Sequence, residues 1–113
     1  MQIKEEKQNE VHIFKLMGRL DSNTSPIFEE KIAAAIAKGA IRMIIDLENL
    51  EYLSSAGLRV ILKTTKDLKR LEGKLVLCSM AEYVREVFEI SGFDTFLPIT
   101  AGRDDALKKF VIV

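Results

Sequence analysis

The strongest constraint on this chain is the run at residues 41–47, where Ile41, Met43, Ile44, Ile45 and Leu47 crowd together. Such a run lacks the alternation of a strand with one wet face. It fits a central strand covered on both sides, or nearly so. A strand of that kind needs helices laid over it, and the flanking sequence provides them. After it, Leu58, Ile61, Leu62, Thr65, Leu68 and Leu71 recur at spacings of three and four, the mark of a one-sided helix. The opposite face of that helix carries Arg59, Lys63, Lys66, Lys69 and Arg70, and Gly73 ends it. Before the run, Ile27, Phe28, Ile32, Ala35 and Ile36 form a second apolar face between Pro26 and Gly39. Thr24 or Ser25 is its expected N-cap, Pro26 suits its first turn, and it reaches about Lys38.

The ends of the chain continue the alternation. Residues 3–7 read as a weak strand, 8–10 as a turn and 11–17 as a Val/Ile/Phe/Leu strand ending at Gly18, together a hairpin. Residues 75–78 read as a short buried strand. Ser79 and Glu82 have the spacing of a capping box. The helix after them turns Val84, Val87 and Phe88 inward, with Met80 and the 83–88 stripe read as core, and stops near Ser91-Gly92. Phe93, Phe96, Leu97 and Ile99 suggest a last strand. Asp104 and Asp105 early, and Lys108 and Lys109 late, suit the dipole of a final helix. The expected order is β-β-α-β-α-β-α-β-α, an α/β (α+β) domain spanning residues 1–113.

Composition narrows the function. Seventeen Lys and Arg balance seventeen Asp and Glu, which argues against a general nucleic-acid binder. A single Cys, Cys78, excludes an internal disulfide and a Cys-based metal cluster, and a single His, His12, argues against a His-rich metal site. No apolar run approaches the ~20 residues that cross a bilayer, and the start of the chain has no signal-peptide stretch. The expectation is a cytoplasmic domain without cofactor, metal, membrane or direct nucleic-acid contact. There is no Gly-x-Ser-x-Gly elbow, no phosphate-binding Gly-rich loop and no Ser/His/Asp set. Cys78, at the end of an apolar strand, reads as a core residue rather than a nucleophile.

The place where chemistry could sit is Ser54-Ser55-Ala56-Gly57-Leu58, where a loop after the buried strand enters the amphipathic helix. Free N–H groups and the positive end of the helix dipole face this spot. A serine phosphate would be tolerated there, and Gly57 lets another backbone come close. Such a serine also serves as a plain N-cap, and spacing alone does not separate the two roles. The segment Gly18-Arg19-Leu20-Asp21-Ser22-Asn23-Thr24 is first of all a strand end and a helix cap, with Asp21 and Asn23 offering hydrogen bonds at the same end of the sheet.

Taken together, Gly18-Arg19-Leu20-Asp21, Ile44-Ile45-Asp46-Leu47 and Tyr52-Leu53-Ser54-Ser55-Ala56-Gly57-Leu58-Arg59 resemble a STAS domain, of the stand-alone type found in bacterial anti-sigma factor antagonists. The likeness extends over nearly the whole chain, through residues 73–77 and 87–93. It implies a mixed sheet of about five strands, with about four helices largely on one face. It implies a non-enzymatic protein that binds an anti-sigma factor with serine kinase activity, is phosphorylated by it, and is reset by a serine phosphatase. The acceptor then falls on Ser55, with Ser54, where many members have Asp, as the alternate. Asp21 matches the family's acidic residue near the acceptor. The docking surface would comprise Asp21, Asn23, Thr24, Ser54, Ala56, Gly57, Leu58 and Arg59. Two other readings compete: a STAS-type scaffold or ligand- or nucleotide-binding module, and a small enzyme using Ser55 or Cys78.

Overall fold

Sheet order follows chain order, and that topology places every crossover helix on one side. In the computed structural model, which describes residues 1–95 and 97–110, the elements are β1 (Gln2–Gln8), β2 (Val11–Leu20), α1 (Ser25–Ala37), β3 (Arg42–Leu53), α2 (Ser55–Arg70), β4 (Lys74–Cys78), α3 (Glu82–Ile90), a 3-10 turn (Phe93–Thr95), β5 (Ile99–Thr100) and α4 (Arg103–Lys108). The strands lie in the order β1-β2-β3-β4-β5; β1 is antiparallel to β2 and the remaining pairs are parallel. Each parallel step moves one strand further along the sheet. Crossovers of one hand taken in one direction deliver α1, α2 and α3 to the same face.

That face holds the main core. Phe14, Leu16, Ile45 and Leu77 from the strands meet Phe28 and Ile32 of α1, Leu58, Ile61 and Leu68 of α2, and Val84 and Phe88 of α3. The rings of Phe14 and Phe28 meet edge to face, with centroids 5.5 Å apart. α4 covers the other face, where Ala106, Leu107 and Phe110 pack on Val11, Ile13, Ile44, Val76 and Cys78. The run at 41–47 is therefore covered on both sides, as its composition requires: Met43, Ile45 and Leu47 face one core and Ile44 the other. Asp46 also points to the α4 face. It is 3% exposed, and its carboxylate accepts bonds from Arg103 (Nη2, 3.0 Å) and from the Glu48 N–H (3.1 Å). Arg103 donates as well to Glu6 of β1, so one guanidinium ties α4 to two strands.

Several elements depart from the sequence expectation. β3 does not end at Leu47 but runs to Leu53, and β2 passes through Gly18 to Leu20. The β2–β3 register shifts between Lys15 and Met17 and between Gly18 and Arg19, each time leaving an extra residue on β3. These bulges reset the in–out alternation, so Leu47, Leu50 and Leu53 are all buried at a spacing of three. α1 starts at Ser25 and leaves Ile27 53% exposed; its N-cap, Thr24, makes no side-chain cap bond. In α2, Leu71 lies past the helix end and is exposed, whereas Val60 and Thr64 are buried. The Thr64 hydroxyl donates to the Val60 carbonyl, which lets a polar residue occupy a core position.

The capping box at Ser79 does not form. α3 begins only at Glu82 behind Ala81, because Ser79 adopts a positive φ of 62° and its N–H goes to the Thr100 carbonyl, extending the β4–β5 pairing. Tyr83 is exposed rather than core, and its hydroxyl donates to the Leu50 carbonyl at 3.0 Å. Residues 93–95 form a 3-10 turn, and the last strand is limited to Ile99–Thr100; Phe96 lies outside the described residues.

Candidate functional site

The site is built where β2 and β3 end together. The second bulge sets Tyr52 opposite Arg19 and Leu53 opposite Leu20, so both strands finish at one level. The Ser54 N–H then donates to the Leu20 carbonyl at 2.9 Å, one bond beyond the ladder. α2 starts at the next residue. Gly57, in its first turn, lies directly on Leu20: a Cβ there would stand 2.7 Å from Leu20 Cγ and 2.9 Å from its carbonyl oxygen. The close approach foreseen for Gly57 is thus made to the last residue of β2.

The two serines separate in role. Ser54 is the N-cap, with extended backbone, and its hydroxyl accepts the Gly57 N–H at 3.2 Å. Ser55 is the first residue of the helix proper and is exposed. The capping duty that competed with a modification role falls on Ser54 and leaves the Ser55 hydroxyl at the surface. α2 has no acidic residue in its first turn, so its positive end is not neutralised from within the helix.

Beside it, residues 21–24 form a self-locking turn. The Asp21 carboxylate accepts the N–H groups of Asn23 (3.0 Å) and Thr24 (3.1 Å), while the Thr24 hydroxyl accepts the Asp21 N–H (2.9 Å) and donates to the Arg19 carbonyl (2.8 Å). The Thr24 N–H bond is the leading cause that holds the Asp21 carboxyl below its ordinary value; the Asn23 N–H, the Thr24 hydroxyl and Arg19 act in the same direction, against partial desolvation. Ser25, almost wholly buried, donates to the Asp21 carbonyl.

Of the residues singled out from sequence, Asn23, Ser55 and Arg59 are exposed, Asp21, Thr24, Ser54 and Ala56 are half-buried, and Gly57 and Leu58 are buried. Leu58 belongs to the main core, where it anchors the first turn of α2. The structure adds two features to this end. Arg19 stacks on the Tyr52 ring, 4.2 Å from its centroid, and Tyr52 is 41% exposed. No sequence spacing announces this pair, because it depends on the bulged register. A cleft of about 220 Å³ opens between α1 and α2, lined in part by Ser22, Pro26, Ala56, Arg59, Val60 and Lys63.

Cys78 is fully buried on the α4 face, and burial pushes its thiol up to about 11. Among the described residues, no group of three or more His, Cys, Asp or Glu side chains is placed to hold a metal ion, and no helix is long and apolar enough to cross a membrane.

Comparison with known proteins agrees with this architecture. Residues 2–106 match the model of the STAS domain. BtrV of Bordetella bronchiseptica, named as an anti-sigma factor antagonist, is 44% identical over 95 residues, 84% of this chain and 82% of that protein. The crystal structure of an anti-sigma factor antagonist from Mycobacterium paratuberculosis superposes with a TM-score of 0.88 at 27% identity, covering 96% of this chain and 92% of that one. The Bacillus cell fate determinant SpoIIAA in its phosphorylated form superposes with a TM-score of 0.77 at 25% identity, over 97% and 100% of the two chains. On the family match and the shared five-stranded mixed sheet, the chain belongs to the STAS domain family.

Proposed function

We propose that this chain is an anti-sigma factor antagonist: a cytoplasmic, non-enzymatic single STAS domain that binds an anti-sigma factor with serine kinase activity and is released when Ser55 is phosphorylated. The observation that carries this reading is the division of labour at the start of α2. Ser54 caps the helix, and Ser55 stands exposed beside it with no side-chain hydrogen bond among the described residues. The names of BtrV and of the mycobacterial protein support the antagonist role, and SpoIIAA is a relative that exists in a phosphorylated form.

In the chemical step, the Ser55 oxygen attacks the γ-phosphorus of ATP bound to the kinase. The O–P bond forms as the bond to ADP breaks, and the hydroxyl proton leaves to the kinase or solvent. The product adds about −1.5 to −2 charge at neutral pH. That charge enters a surface already carrying ionised Asp21. A partner seated there meets like charge or a desolvated phosphate. A loss of ~3 kcal/mol weakens binding about a hundredfold or more. A serine phosphatase restores the hydroxyl. Asp21, Asn23, Thr24, Ala56 and Arg59 border the acceptor and form the rim of the docking surface, and Gly57 and Leu58 set its position. Ser54 remains the alternate acceptor, but its hydroxyl is engaged with the Gly57 N–H and lies half-buried.

The test is incubation with the cognate kinase-type anti-sigma factor and ATP, followed by mass spectrometry and a binding titration. Modification at Ser55, tight binding of Ser55→Ala and weak binding of Ser55→Glu are expected. Unmodified Ser55 together with undiminished binding of Ser55→Glu rejects the mechanism.

A further inference from the structure

We propose that Arg59 is the intramolecular counter-ion of the phosphate on Ser55, so that modification both adds negative charge and withdraws the free cation of the α1–α2 cleft. The inference rests on the phosphorylation reading and adds a residue to it. Ser55 and Arg59 are both exposed, and they stand four residues apart on α2. Side chains at that spacing lie one above the other, with Cβ atoms about 5–6 Å apart. The acidic member is nearer the N-terminus, which is the favourable orientation for such a pair.

The other cations nearby are already committed. Lys63, also in the cleft, pairs with Glu29 at 3.3 Å and with Asp67 at 3.6 Å, and the Glu29 contact leads the causes that raise its pKa. Arg19 lies over Tyr52 and 3.9 Å from Asp21. Arg59 has no ion pair or side-chain hydrogen bond among the described residues, although it lines the same cleft as Glu29. A planar guanidinium offers two parallel N–H donors to a phosphate, a match that an ammonium lacks. Before modification, Arg59 is therefore an outward cation beside the apolar walls of Pro26, Ala56 and Val60. After modification, it folds back one turn onto the phosphate and is no longer presented to a partner.

The test needs neither kinase nor partner. Phosphoserine is inserted at position 55 during translation, and the second ionisation of its phosphate is followed by ³¹P NMR in the full chain. The groups at this end of the molecule are Arg59 and Lys63 on α2, Glu29 on α1, Tyr52 on β3, and Arg19 and Asp21 beside the 21–24 turn. All but Arg59 are kept constant in the first comparison. Arg59→Ala is expected to raise the phosphate midpoint by about 0.2–0.4 pH unit, the size expected of a helical ion pair one turn apart. Arg59→Lys should recover part of the difference, and Lys63→Ala should leave the midpoint in place. Equal midpoints for the parent and Arg59→Ala overturn the proposal, as does a larger shift from Lys63→Ala. Because the phosphoserine is installed directly, a kinase that fails to modify Ser55 counts against the proposed function and not against this pairing.

Discussion

A Cβ added to Gly57 would stand 2.7 Å from Leu20 Cγ, closer than such atoms pack, so the first turn of α2 and the last residue of β2 are fitted to the absence of a side chain. The same Leu20 accepts the Ser54 N–H through its carbonyl and directly precedes Asp21. Leu20 is thus the common support of the helix start and of the 21–24 turn, and the two halves of the site are held in one frame by it.

Gly57→Ala is therefore expected to destabilise the fold by roughly 1–3 kcal/mol, the usual range for overpacking, although alanine is the better helix former. Urea unfolding measures the loss. Amide shifts at residues 20–24 should change as well, since the strain is delivered to Leu20. A variant as stable as the parent, with unmoved shifts, would contradict the fit.

The two serines should behave oppositely in stability. Ser54→Ala removes the acceptor of the Gly57 N–H and is expected to cost about 0.5–2 kcal/mol. Ser55→Ala removes an exposed hydroxyl with no hydrogen bond among the described residues and should stay within about 0.5 kcal/mol of the parent. Thermal or urea unfolding of the two variants side by side separates the capping serine from its exposed neighbour without any partner present.

This split shows what the residues declare and what they withhold. The covered strand, the three-and-four spacing of α2 and the polar punctuation around residues 21–26 each follow from local rules, so the element order was legible. The length of β3 was not. Leu47, Leu50 and Leu53 repeat every third residue, which is not the alternation of a strand, and only pairing with β2 shows that two bulges produce it. The placement of Arg19 over Tyr52 follows from those bulges and was hidden for the same reason. Ser79 and Glu82 satisfied a local capping rule, yet the Ser79 N–H was claimed by Thr100 of β5, a long-range partner that local spacing does not reveal. At the site, Ser-Ser named the place, but the assignment of cap to Ser54 required the backbone.

The Asp21 turn has a definite pH signature. Its carboxylate is stabilised in the fold, first by the Thr24 N–H, so its folded value lies below 3.8. A depressed acid contributes stability above its unfolded value, and that contribution fades as pH falls through the folded one. The carboxylate's share of the turn is therefore complete at neutral pH and is lost only in acid, while the Thr24 hydroxyl bonds to the Asp21 N–H and the Arg19 carbonyl remain. Carboxyl-carbon NMR should give an Asp21 midpoint below 3.8, with the Asn23 and Thr24 amide signals moving in the same titration. A midpoint at or above 3.8 would show that these N–H donors do not hold the carboxylate.

On the opposite face, Arg103 and Asp46 join α4 to the sheet. Arg103 meets Asp46 with two nitrogens, at 3.0 and 3.3 Å, and reaches Glu6 with a third. Asp46 is 3% exposed, so its loss of Arg103 leaves a carboxylate with little water to replace the guanidinium. Arg103→Ala should cost about 1.5–3 kcal/mol, the range for a hydrogen bond to a buried charge. Asp46→Asn combined with Arg103→Ala should recover part of it, because no buried charge is then left unpaired. Hydrogen exchange distinguishes this clasp from a general weakening: amides of α4 should lose protection ahead of those in α2. Uniform loss across both helices would mean that the Arg103–Asp46 pair supports the fold as a whole rather than clasping α4 to the sheet.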